Sequence, residues 1–386
     1  VRVRPLSYKI TPDCVGDTVT FSLSRPRNLS VEVNGDIFHN LHLFANPIDK
    51  FRPSDKEIQR ALKKKKGSNL IYFGPGVHNL PNDTLFVPSG TTVYIDGGAR
   101  VYGNIFTEGA HDVNIFGRGE VHPDGRGAGV WVRRSKNVRI DGIVVSQLPI
   151  GQCDSVELTN VKSISYYGWG DGMDVFSSSN VILDGVFCRN SDDCAAVYAS
   201  TQGFKGGSNN VLVKNATLWA DVAHPINIGG HGDPNGMDTV QNVTFRNIDI
   251  LDQAEKQIDY QGCLAINPGD NTLVRNITFE NIRIEDFRNG QLVNFRISFN
   301  PKYCVSTGRG IQNVLVKDVT YNGSGENLSI IAGYDENHKI SGIRFVNLVV
   351  NGRKITDDMP GKPKWYKTGD MAGIFVGEHV ENLSFE

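Results

Sequence analysis

Two short segments hold carboxylates in a pattern suited to acid–base chemistry: GWGDGMDVF around Asp171 and NSDDCAAVY around the adjacent pair Asp192 and Asp193. Hydrolysis of a glycosidic bond needs one carboxylic acid that still holds its proton and one carboxylate that positions water, and crowding several carboxylates raises the proton affinity of at least one. A single Asp-Gly reads as a turn. Three aspartates gathered at the ends of apolar strands read differently, because their repulsion costs stability with no structural return. The next such segment, VAHPINIGGHGD, places His224 and His231 beside glycines that let a ligand approach the backbone. His224, which follows the aspartate pair, is the stronger candidate for substrate contact. Tyr166, Tyr167, Trp169 and Tyr198 flank the same segments and could stack on sugar rings or simply pack.

Side chains so far apart in sequence meet only if the chain returns to the same place at regular intervals, and it does. From about residue 70 a polar residue, mostly Asn, precedes an alternating apolar strand: DVNIFG from Asp112, NVRIDGIVV from Asn137, NVKSISYYG from Asn160, NVILDGVFC from Asn180, NVLVKNATL from Asn210, NVTFRNIDI from Asn242, NITFENIRI from Asn276, NVLVKDVTY from Asn313 and NLSFE from Asn382. The first intervals are 25, 23 and 20 residues and the later ones 30, 32, 34 and 37. Strands of fixed length with loops of growing length give such a series. The apolar alternation has period 2, so the repeat is a strand rather than a helix pair. Stacked coils about 4.8 Å apart bury one continuous core, with asparagines able to form ladders at the bends. The expected fold is all-β, a right-handed parallel β-helix over 70–386. A β-propeller would need blades of roughly 40 to 45 residues from the start. Asp171 and Asp192 are then one coil apart on one face, and the expected carboxylate gap is roughly the 6.5–9.5 Å of an inverting glycosidase.

Ahead of the solenoid, residues 1–50 read as short alternating strands of a small N-terminal β-sandwich-like domain. Residues 51–69, with proline, charge and the helical stretch PSDKEIQRAL, read as a linker and a helix that caps the open end. The run Lys63 to Lys66 reads as the solvated end of that helix.

These segments resemble the β-helical polygalacturonases and their relatives in the dextranase and isopullulanase group. Polygalacturonases carry an NTD segment, a DD pair one coil on, a GHG segment and an RIK segment. Here GDGMD is similar to the first at Asp171, SDDCA to the second at Asp192 and Asp193, and AHPINIGG to the third, with His224 in the histidine position. The resemblance implies that Asp192 is the general acid and that Asp171 and Asp193 hold and activate the water. Ala223 and Pro225 stand where that family has glycines, and no RIK follows. CLAINPGDN after Cys263 and FRISFN around Arg296 are the nearest segments. Arg296, with Lys256 and Arg288 as further cations, is the candidate for substrate binding beside His224, Trp169 and Tyr198. Without the RIK cations a neutral α-glucan of the dextran or pullulan type is the expected substrate, with pectic galacturonan as the alternative. The small N-terminal β-domain also resembles the dextranase and isopullulanase group.

Composition narrows the partners. With 40 Lys and Arg against 42 Asp and Glu, the net charge of -2 provides no basic field for nucleic acid. No apolar run reaches the ~20 residues of a membrane span, and the opening at Val1 is read as a mature, secreted form. Six scattered cysteines show no metal-ligand spacing, so no metal or cofactor is expected. Eight sequons, at Asn28, Asn82, Asn215, Asn242, Asn276, Asn322, Asn327 and Asn382, suit secretion or serve structural roles in the repeat. A polysaccharide lyase would share the fold but needs a Lys or Arg base and commonly calcium. A noncatalytic carbohydrate-binding β-helix would lack a reason for the aspartate trio.

Overall fold

The computed structural model describes residues 1–63, 67–324 and 326–386, and the chain coils into a parallel β-helix with three strand faces. Lys64, Lys65 and Lys66, most of the lysine run, lie outside the described residues. The first face stacks His111–Gly117, Lys136–Asp141, Asp154–Thr159, Ser179–Asp184, Ser208–Lys214 and the strands after them, all parallel. Its inward positions form unbroken columns, Val113 on Val138, Val156, Val181, Val211 and Val243. β-Branched side chains fit such a pleated, fully buried stack. Further along, Phe345 stacks on Phe385 with centroids 4.8 Å apart.

The bends explain the repeating asparagine. Asp112, Asn137, Asn180, Asn210, Asn242, Asn276, Asn313 and Asn382 all adopt positive φ, between 54° and 57°. Among non-glycine residues, Asn and Asp enter the left-handed region most readily. Their amides bond coil to coil: Asn210 Nδ2 donates to Asn180 Oδ1 at 2.7 Å and Asn276 Nδ2 to Asn242 Oδ1 at 3.1 Å. A second ladder runs through Asn215 and Asn247, whose amide donates to Asn215 Oδ1 at 2.6 Å. The sequons at Asn215, Asn242 and Asn276 thus belong to ladders. One anchor is displaced from its expected place. Ser155 (φ 60°), not Asn160, occupies the bend of that coil, because Val156 pairs with Val138 and Val181. Another coil, anchored at Gly342 (φ 72°), lies between Asn313 and Asn382. Glycine takes the left-handed bend there, so the asparagine pattern passes over it.

The N-terminal strands Arg2–Arg4, Arg27–Val33 and Asp36–Ala45 form an antiparallel sheet, with Asn34-Gly35, both at positive φ, closing the hairpin. This sheet carries a small core of its own on one side, where Val3, Leu29 and Val31 pack with Tyr8, Phe21, Leu23 and Leu43. It lies on the second face of the solenoid, where His42 and Phe44 pack on Phe187, each with centroids 5.1 Å away. Buried Arg4 bonds Glu32 at 3.1 Å and Glu285 at 2.7 Å across the interface. The stretch after it is also packed rather than free: Tyr94 donates to Asp49 at 2.6 Å and Phe51 stacks on Phe116 at 4.2 Å. The helix Asp55–Leu62 begins with a capping box at Ser54 and Glu57 and buries Ile58 beside the first solenoid strand, Leu70–Phe73. No described helix is long and apolar enough to cross a membrane.

Candidate active site

The third face places the aspartates. Its strands Val175–Phe176, Ala195–Tyr198 and Ile226–Ile228 pair with Val175 opposite Val197 and Val197 opposite Ile228. Counting back four residues from each of these puts Asp171, Asp193 and His224 at equivalent positions on three successive coils. Backbone bonds fix that alignment: Gly172 N donates to Asp193 O at 2.7 Å and Cys194 N to His224 O at 2.8 Å. A Cβ at Gly172 would lie 2.2 Å from Cys194 O, so the glycine of GDGMD is required by the close approach of the next coil. Asn190, fully buried, donates to Asp171 O at 3.0 Å and to the hydroxyls of Ser163 and Ser165 at 3.0 Å, holding the turn that presents Asp171.

One carboxylate oxygen from each of Asp171, Asp192 and Asp193 falls within 4.8 Å of the others. These oxygens approach more closely than the expected carboxyl-to-carboxyl gap of roughly 6.5–9.5 Å, because residues at matching positions of adjacent coils are separated by about one strand spacing. A single water donating ~2.7 Å hydrogen bonds can bridge two of these oxygens, and a divalent cation could do the same.

The carboxylates differ sharply in charge state. Asp193 is buried, which alone would raise its pKa, yet it is held down to about 2 by the His224 charge and by bonds from His224, Tyr198 and Asn227. Its Oδ1 accepts His224 N at 3.0 Å and faces His224 Nδ1 at 2.6 Å, and its Oδ2 accepts the Tyr198 hydroxyl at 2.6 Å and Asn227 Nδ2 at 2.8 Å. Four donors fill the acceptor positions of this carboxylate. His224 Nε2 meets the carbonyl oxygen of Tyr260. With an acceptor at each nitrogen the ring is doubly protonated, in line with its pKa being raised by Asp193 against the opposing effect of burial. Asp192, by contrast, is pushed up to about 7, first by burial and then by Asp193. Asp171 is also raised well above the carboxylate range by burial and by both neighbours.

A fourth aspartate belongs to the group. Asp174, 4% exposed, sits one residue before Val175 with its Oδ1 unpartnered, and burial followed by the charge of Asp171 raises its pKa. The register was its signal: Asp174 aligns with Ala196 and Asn227 on the outward column of the third face. Asn227 and Glu255, both buried, were also not anticipated; they arrive from later coils.

These groups line a cleft of about 700 Å³. Its rim carries Tyr166 and Trp169, 85% and 69% exposed, and Trp169 holds a positive φ of 63°. Tyr167 lines the cleft too, but its hydroxyl is committed to the backbone of Gly127 and the amide of Gln147. Tyr198 is buried, stacked on Phe176 at 5.9 Å, with its hydroxyl spent on Asp193, so it positions a carboxylate rather than offering a sugar platform. His231 packs edge-on against Tyr198 at 5.0 Å. Arg296 is not brought into the cleft; it pairs with Asp259 at 2.6 Å. Arg288 is held by Asp252 and Asp221 beside the N-terminal sheet, and Lys256 is exposed outside the lining. Ala223 has φ 64°, the left-handed conformation for which the resembled family uses glycine.

The model of glycosyl hydrolases family 28 matches residues 130–359, a span that contains all four aspartates and His224. This chain belongs to glycosyl hydrolases family 28. Among curated members, the polygalacturonase of Juniperus ashei is 26% identical over 295 residues, covering 68% of this chain and 54% of the relative. The exopolygalacturonase of Cochliobolus carbonum is 24% identical over 246 residues, covering 55% and 52%. The chain thus spans about half the length of these curated relatives. Among solved structures, the Yersinia enterocolitica family 28 exopolygalacturonase superposes with a TM-score of 0.58 at 13% identity, covering 95% of this chain and 85% of that one. Dex49A from Penicillium minioluteum gives 0.61 at 13% identity, covering 99% and 78%. Both likenesses are of the fold.

Proposed function

We propose that this family 28 protein is a secreted hydrolase of an α-linked pectic galacturonan. The observation that carries the reading is the splitting of one carboxylate cluster into a proton-holding member, Asp192, and a fully ionised one, Asp193. In this reading Asp192 protonates the departing glycosidic oxygen. While Asp192 holds its proton the repulsion that raises Asp171 is reduced, and in its ionised form Asp171 receives the attacking water and its proton, with Asp174 three residues on. Asp193 is a fixed anion: with its acceptor positions filled by four donors it is poorly placed to attack carbon, and its charge keeps the proton on Asp192. Water attack without a covalent intermediate inverts the anomeric centre. Trp169 and Tyr166 offer exposed ring faces to sugars at the rim.

The neutral α-glucan expected from the missing RIK segment gives way to the galacturonan, because curated relatives of this chain are named polygalacturonases or endo-xylogalacturonan hydrolase. The test is reducing-sugar release from polygalacturonate, dextran and pullulan, with proton NMR of the earliest products, before and after chelator treatment. Galacturonan turnover that survives chelation, with an inverted anomer, is expected. Preferred cleavage of dextran or pullulan would overturn the substrate, a retained anomer would overturn the roles of the aspartates, and loss with chelator would place a cation among them.

A further inference from the structure

The cleft is strongly acidic, with four aspartates and Glu255 among its lining residues. A uronosyl carboxylate entering it meets repulsion unless a cation receives it. The third face provides none at the expected place. Ala265 pairs in register with Asn227 and so stands on the outward column beside the aspartates, without charge. Asn267 follows it, buried, and spends its amide on Asn294 Oδ1 at 2.9 Å and Arg296 O at 3.4 Å.

Among the described residues lining the cleft, Lys302 alone carries an ammonium or guanidinium group. It sits on the loop after the strand Val293–Arg296. Its Nζ donates to Gln257 Oε1 at 3.0 Å, an acceptor shared with the Tyr303 hydroxyl at 3.0 Å, and lies 4.7 Å from the Tyr303 ring centroid. Gln257 is neutral, so this contact orients the ammonium without cancelling its charge; Tyr303 also bonds it, and the nearby carboxyl groups of Glu255 and Asp192 favour its charged form. The neighbouring cations are already neutralised, Arg296 by Asp259 and Arg288 by Asp252 and Asp221.

We propose that Lys302 is the specificity-determining residue of this cleft, its ammonium receiving the carboxylate of a uronosyl ring bound over the aspartates. The proposal rests on the galacturonan reading above. It locates the substrate's charge partner on a loop in the cleft wall rather than on the strand, with Gln257 and Tyr303 as its positioning residues.

The experiment compares wild type, Lys302→Met and Lys302→Arg on polygalacturonate and on the same polymer with its carboxyl groups methyl-esterified. Lys302 is exposed, so neither variant disturbs the core. Loss of a charge-assisted contact predicts a KM for polygalacturonate about tenfold higher in Lys302→Met, with kcat changed much less. The preference for free acid over ester should collapse in Lys302→Met and largely return in Lys302→Arg. An unchanged KM and an unchanged acid-to-ester preference would overturn the proposal. So would equal losses on both polymers accompanied by a moved alkaline limb of the kcat profile, since Lys302 would then act on Asp192 and not on substrate. Wild-type protein inert on every uronan is a different result: it would remove the galacturonan reading and this proposal with it.

Discussion

Asp192→Asn should make the protein less active and more stable, with the second effect depending on pH. The folded state holds the Asp192 proton up to about pH 7, against an ordinary 3.8. Each pH unit of such a difference is worth about 1.4 kcal/mol, so full expression would cost the folded state ~4 kcal/mol at pH 7. Asp192 is partly open to the cleft and shares its proton affinity with Asp171 and Asp193, and about half of that, ~2 kcal/mol, is the working figure. The folded chain binds this proton more tightly than the unfolded chain does. The cost is therefore absent below pH 3.8, grows between 3.8 and about 7, and is constant above. Asparagine has no proton to lose, and its amide oxygen can still accept from Asp193 N, now 3.1 Å from Asp192 Oδ1. With an unfolding entropy of about 2.1 cal/mol/K per residue, ~2 kcal/mol corresponds to 2–3 °C in a chain of 386 residues. Circular-dichroism melts should thus coincide at pH 4 and separate in favour of the variant at pH 7. Turnover of polygalacturonate should fall by about 10²–10⁴. A variant melting at or below wild type at pH 7 would refute the charge assignment, and near-normal turnover would remove Asp192 from the chemistry.

Three further outcomes follow from contacts around the cluster and the interface. Tyr198→Phe keeps the ring on Phe176 but removes one donor from buried Asp193, and should lower the melting temperature at pH 6 by about 2–4 °C, for a loss of about 1.5–3 kcal/mol. Ala223→Gly relieves a left-handed alanine and should raise stability in urea by roughly 0.5–1 kcal/mol, whereas a loss would mean that the methyl group packs usefully. Arg4→Met leaves the buried carboxylates of Glu32 and Glu285 facing each other and should cost about 3–5 kcal/mol, seen as a lowered urea midpoint.

Much of this was legible from the chain because a solenoid turns sequence intervals into positions. Asp171, Asp192 and Asp193 could be grouped without coordinates, since the distance between neighbouring coils is set by the backbone alone. Asp174 was passed over although it lies in the same segment: Gly-Met-Asp looks like a turn until the strand register shows that it faces out beside Asn227. The carboxylate oxygens come closer than the expected gap because the register pairs Asp171 with Asp193, not with Asp192. Asn160 was mistaken for a coil anchor because a left-handed Asn also marks the second bend of a coil, as Asn215 and Asn247 do, while Ser155 did the anchoring unannounced. Lys302 and Glu255 were beyond reach for another reason. Loops of unrelated length carry them in, and no periodicity governs where such loops end.

The intervals between successive bends, from 18 residues at Asn137 to Ser155 up to 40 at Gly342 to Asn382, have an evolutionary consequence. Every added residue is absorbed at a turn, and the columns above and below keep their partners. Length can therefore be gained or lost at the rim as freely as beads on a side string, while the stacked interior keeps count. Tyr166 to Gly170 and Asn300 to Cys304 are two such excursions, and both end on the cleft wall. A lineage could exchange one polysaccharide for another by editing those excursions alone, without renegotiating the stability of the scaffold that carries the aspartates.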